Sequence, residues 1–82
     1  MKTSVYSPHY EKLRVWLKSA RQARNLSLRD VSEMTGVHHS VYGKMEQARR
    51  RIDIIEFVEY CKALEVDPLE GVNVIINSMD NP

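Results

Sequence analysis

The sequence predicts an all-α fold of five helices, the second and third joined by a tight turn. Three observations predict it. Apolar residues recur at three- and four-residue steps, and no stretch shows strand alternation flanked by hairpin turns. Capping signals stand at Ser7-Pro8, Ser27, Asp53 and Asp67-Pro68. From Asn25 to Ala48, the stretch NLSLRDVSEMTGVHHSVYGKMEQA holds two short helical patterns separated by Thr35-Gly36-Val37.

Ser7 caps helix 1 and Pro8 takes its first position, where a missing N–H does no harm. Tyr10, Leu13, Trp16 or Leu17, Ala20 and Ala23 form its apolar stripe, giving a helix over 8–24 with residues 1–6 loose. Helix 2 covers 28–34. Its cap Ser27 accepts from the third helical N–H, and Asp30 reaches back to the cap. Val31 and Met34 face inward, and Gly36 supplies the left-handed stop.

Helix 3 covers 39–46, with Val37, Val41 or Tyr42, and Met45 inward. Gly43 is unexpected there, since glycine inside a helix costs about 1 kcal/mol relative to alanine. Either a phosphate or base approaches it closely, or it lies on a tolerant surface. The basic connection QARRRI leads to Asp53, which caps helix 4 with Glu56 as box partner. Ile54, Phe57, Val58, Cys61 and Leu64 form its inward face, and Glu65-Val66 ends it.

Asp67-Pro68 opens helix 5, over 68–79, and Glu70 completes another box. Leu69, Val72, Ile75, Ile76 and Met79 carry it. Val72, Val74, Ile75 and Ile76 spread apolar surface beyond one stripe. Either this chain wraps the helix fully or a second copy covers it. The small size favours a homodimer interface through Val72, Ile75, Ile76 and Met79.

At 82 residues the chain makes one domain, 1–82. Such a domain buries only about 60% of its unfolded surface, so it needs a partner or very regular packing. Cys61 is the single cysteine, which excludes an internal disulfide and suits a reducing cytoplasm. The N-terminus lacks the apolar core of a secretion signal, and no apolar run approaches a membrane span. His9, His38, His39 and Cys61 offer no metal-ligand spacing, so no metal or cofactor is expected. No catalytic residues are expected either, because a small five-helix chain offers little concavity.

The net charge of +1 hides a polarity. Residues 1–51 carry eleven Lys or Arg against four Asp or Glu, +7, and residues 52–82 carry one against seven, −6. The basic half suits a polyanion, with the acidic half turned from it. Two helices joined by a three- or four-residue turn containing Gly cross steeply, which lets the second lie in a DNA major groove.

The residues carry a family resemblance. Between Leu17 and Leu69 the chain resembles the Cro/C1-type (XRE-like, lambda-repressor-like) helix-turn-helix family, over about two-thirds of its length. The resemblance rests on Leu17, Ala20, Arg21 and Arg24; Asn25-Leu26-Ser27; Gly36-Val37; Met45-Glu46; and Lys62-Ala63-Leu64-Glu65-Val66. It implies a five-helix lambda-repressor-like DNA-binding domain that binds a palindromic operator as a homodimer. The chain departs from the family pattern at four places: Leu28 for a phosphate-binding Gln, Ala48 for Gly, His38 for Ser or Thr, and Asn25 for Gly.

The resemblance implies base reading by His39, Ser40, Val41 and Lys44. Chemistry agrees: Lys donates to guanine O6 and N7, Ser serves several bases, His donates or accepts, and Val suits a thymine methyl. Ser27 and Arg29 at the start of helix 2, and Arg49, Arg50 and Arg51 beside helix 3, are assigned to phosphates. Four phosphate contacts per subunit would give a dimer a salt slope near −7, at roughly 0.9 per phosphate. The family also implies an ion pair between Arg21 and Glu46 that seats helix 3. Arg24 and Lys18 are candidate backbone contacts. Tyr42 either packs in the core or reaches a phosphate, and the family's inward Ile or Val there favours the core.

The expected function is a transcriptional regulator binding double-stranded DNA in a prokaryotic or phage cytoplasm, at the nucleoid. The alternative is an antitoxin-like module whose main partner is another protein.

Overall fold

Each helix begins where a side chain takes up N–H groups that have no partner in the first turn. In the computed structural model, which describes residues 7–80, these caps open α1 (Pro8–Ala23), α2 (Leu28–Thr35), α3 (His39–Glu46), α4 (Ile54–Leu64) and α5 (Pro68–Asp80). The segment 1–6, expected to be loose, lies outside the described residues. Ser7 Oγ accepts from Tyr10 N–H at 3.2 Å. Ser27 Oγ accepts from Asp30 N–H at 3.1 Å, and the Asp30 carboxylate takes Ser27 N–H at 2.8 Å. Those two bonds hold the Asp30 carboxyl below its ordinary value. Asp53 Oδ1 accepts from Ile55 and Glu56 N–H, and Asp67 Oδ1 from Leu69 N–H. Glu56 itself turns to Arg50, 2.9 Å away, rather than completing the expected box.

Helix ends follow one pattern. Gly36 stops α2 at φ 80°. The chain turns left-handed again at Asn25, Ala48 and Glu65, after α1, α3 and α4. In each case the next N–H reaches back five residues: Leu26 to Arg21, Arg49 to Lys44, Val66 to Cys61. These closures bend the chain sharply enough for short helices to fold over one core.

The core is Leu13 and Leu17 of α1, Val31 of α2, Tyr42 and Met45 of α3, and Phe57, Tyr60, Cys61 and Leu64 of α4. The Tyr42 and Tyr60 rings meet edge to face at 4.9 Å. α5 lies along α1. Gly71 permits that approach, since a Cβ there would stand 2.8 Å from Phe57 Cζ and 2.9 Å from Trp16 Cζ3.

Several inward faces differ from expectation. Leu28, Val31 and Thr35 line the inner side of α2, so Met34 turns out and is 57% exposed. The α4 face is Phe57, Tyr60, Cys61 and Leu64; Ile54, one turn earlier, overhangs the edge of the core. Ala23, at the end of α1, is exposed. Gly71, Ile75 and Ser78 face inward from α5, with Ser78 Oγ 2.8 Å from His9 Nδ1.

Candidate nucleic-acid interface

α3 is positioned by polar groups behind it. Arg21 of α1 grips the Glu46 carboxylate with two parallel bonds, Nε to Oε2 and Nη2 to Oε1, both 2.9 Å. Its Nη1 donates to Leu26 C=O at 2.8 Å. The pair is largely shielded, with the Arg21 side chain 13% exposed and that of Glu46 6%. The Glu46 hydrogen bond raises the Arg21 pKa above its ordinary value. Tyr60 O–H donates to the same carboxylate. Burial, reinforced by Glu46, pushes the phenol well up.

A second arginine adds to this anchor. Arg14 stands two turns before Arg21, is 3% exposed, and donates from Nε to Met45 C=O at 3.0 Å. It thus meets the carbonyl-rich end of α3, where a cation is favoured. The middle of α3 is tied by Tyr42, whose O–H donates to Thr35 Oγ1 at 2.9 Å. Val37 N–H donates to the same oxygen. Tyr42 is therefore core, and its hydroxyl ties α3 to the turn. Neither Arg14 nor Tyr60 is marked in the sequence as an arginine or tyrosine apart. The signals were positional: Arg14 lies seven residues before Arg21, and Tyr60 continues the Phe57–Cys61–Leu64 spacing.

The outer side of α3 remains. Ser40 and Lys44 are exposed and His39 is half-buried. His38 caps the helix, its Nδ1 accepting Ser40 N–H at 3.2 Å. Ser40 Oγ lies 2.8 Å from the same nitrogen. The His38 and His39 rings stack at 4.3 Å. Val41, named for a thymine methyl, is instead half-buried and packed on the core.

The basic residues divide into two sets. Arg29 and Arg49 are exposed, and no ion pair involves them or Lys44 among the described residues. Arg51 is exposed as well. Arg50 is paired with Glu56, and Arg24 with Glu65 at 3.0 Å. The expected separation of basic and acidic halves is therefore broken at two places, where Glu56 of α4 and Glu65, just beyond its end, pair with arginines. The Ser27 hydroxyl accepts within its own cap. On α5, Val72, Ile76 and Met79 are exposed, whereas Ile75 packs on the core; Leu69 takes its place in the exposed row.

A family model described as helix-turn-helix matches residues 17–70, well over half the chain. The chain belongs to the Cro/C1-type helix-turn-helix family. Among solved structures it is similar to an XRE-family like protein from Pseudomonas syringae pv. tomato, at 28% identity and a TM-score of 0.78, over 90% of this chain and 88% of that one. It shares a fold with the clp gene regulator ClgR from C. glutamicum, at 22% identity and a TM-score of 0.74, over 89% of this chain and 95% of that one. No curated protein matches. This helix-turn-helix chain is a DNA-binding transcription regulator, of a family that is not an enzyme family. Among the described residues no group of His, Cys, Asp or Glu could hold a metal ion, and no helix is long and apolar enough to cross a membrane.

Proposed function

We propose that the protein binds a palindromic operator as a homodimer, with α3 of each copy in a major groove. One observation carries this reading. α3 is locked from behind by Arg14, Arg21 and Tyr60, while its outer side offers His39, Ser40 and Lys44 beside Arg49. A rigid reading helix flanked by uncommitted cations is what base contacts and phosphate contacts require. His39 and Lys44 read base edges. Arg29, Arg49 and Arg51 meet phosphates, with Arg50 divided between phosphate and Glu56.

The dimer forms through Leu69, Val72, Ile76 and Met79. Their three- and four-residue spacing is that of a helix–helix seam, and all four are exposed in one chain. The two reading helices then stand about 34 Å apart, one turn of DNA.

Selecting bound DNA from a random pool, then measuring affinity across salt, tests the proposal. His39→Ala or Lys44→Ala should reduce preference for the selected site by about 1–3 kcal/mol. Arg49→Ala should weaken selected and random DNA alike and shrink the slope by about 2 per dimer. If neither change alters binding, groove and clamp are misassigned. Ile76→Asp should give a monomer by sedimentation. A wild-type monomer that instead co-purifies with a second protein on the α5 row supports the antitoxin-like reading.

A further inference from the structure

The outer side of α3 carries a glycine that the fold does not require. Gly36 is needed for its positive φ, and Gly71 for the close approach of Phe57 and Trp16. Gly43 has neither reason. It sits within α3 and its φ is not positive. A Cβ there would meet only Leu28 Cδ1 among the described residues beyond its own helix, at 3.6 Å, an ordinary contact. Alanine would fit, and would favour the helix.

Gly43 stands four residues after His39 and three after Ser40, so it shares their side of α3. Leu28 begins α2 and is half-buried. Its Cδ1 lies 3.6 Å from where a Cβ on Gly43 would stand, so the leucine methyl and the bare glycine backbone are neighbours.

We propose that Leu28 and Gly43 form a notch for the C5-methyl of a thymine, and so determine one base of each half-site. This rests on α3 entering the major groove. Thymine alone among the DNA bases carries an apolar group on its major-groove edge. The other bases present donors or acceptors there, which an apolar notch would strip of water without replacement. The missing side chain at position 43 gives the methyl room, and Leu28 gives it a surface.

The test uses the full chain and its selected DNA site, with each thymine replaced singly by uracil, which removes only the methyl. One thymine per half-site should lose affinity about fourfold for the wild type, the worth of burying one methyl group. Gly43→Ala, its fold verified by an unchanged or higher melting temperature, should bind the thymine and uracil versions of that position equally. The notch is refuted if no uracil substitution weakens wild-type binding, or if Gly43→Ala keeps the same fourfold loss. Failure to select any DNA would refute the groove reading itself, and the notch with it.

Discussion

Removing the Glu46 carboxylate should unseat the reading helix. Three donors converge on it: Arg21 Nε, Arg21 Nη2 and Tyr60 O–H. Glu46→Ala leaves the Arg21 guanidinium mostly shielded from water with two donors unmatched, and strands the Tyr60 hydroxyl. Breaking a buried pair from one side costs about 3–5 kcal/mol. A chain of this size has a total stability of about 4–12 kcal/mol, so the loss is a large share. With an m-value of about 1 kcal/mol/M in urea, the midpoint should fall by about 3–5 M. Arg21→Ala should be milder, because Tyr60 still serves the carboxylate. The double variant removes both charges and should be less damaged than the sum. Urea denaturation followed by far-UV circular dichroism completes the cycle, with an expected coupling of about 2 kcal/mol or more. A coupling below about 0.5 kcal/mol, the value of a solvent-exposed pair, would show that the pair does not hold α3.

Other positions give independent tests. Ala48 is held at φ 60° after α3, where an L-residue is strained by about 1–2 kcal/mol; Ala48→Gly should recover part of this, net about 0.5–1 kcal/mol after the unfolded chain's added freedom, and raise the melting temperature. Gly71→Ala would press a Cβ into Phe57 and Trp16 and should destabilise by about 1–3 kcal/mol in the same melt. The Cys61 thiol is pushed up to about 12, by burial first and Asp67 second. Its folded value lies above the unfolded value of about 8.5, so its stabilisation is complete below that pH and declines as pH rises toward 12. Between pH 7 and 10 wild type should lose about 2 kcal/mol more than Cys61→Ala in urea titrations, and equal losses would contradict this.

The helices were legible because their signals are local. Ser7, Ser27, Asp53 and Asp67 announce helix starts by chemistry that acts within three residues, and the structure uses each as a cap. Gly36 announces a stop for the same reason. Inward faces were less legible. Met34 and Ile54 fit a helical period but lie beyond the partner surface, and Tyr60 was hidden by a Phe57–Val58 pattern of equal quality.

What the sequence alone determined is the order and extent of the helices and the turn between α2 and α3. Those follow from backbone capping and side-chain periodicity, which depend on near neighbours. Only the tertiary structure decided how charge is spent. It gave Arg50 to Glu56 and Arg24 to Glu65, buried Arg14 against Met45, and left Lys44, Arg29 and Arg49 without ion pairs among the described residues. Ion pairing across helices depends on which surfaces meet, and residues distant in sequence meet only once the core has closed.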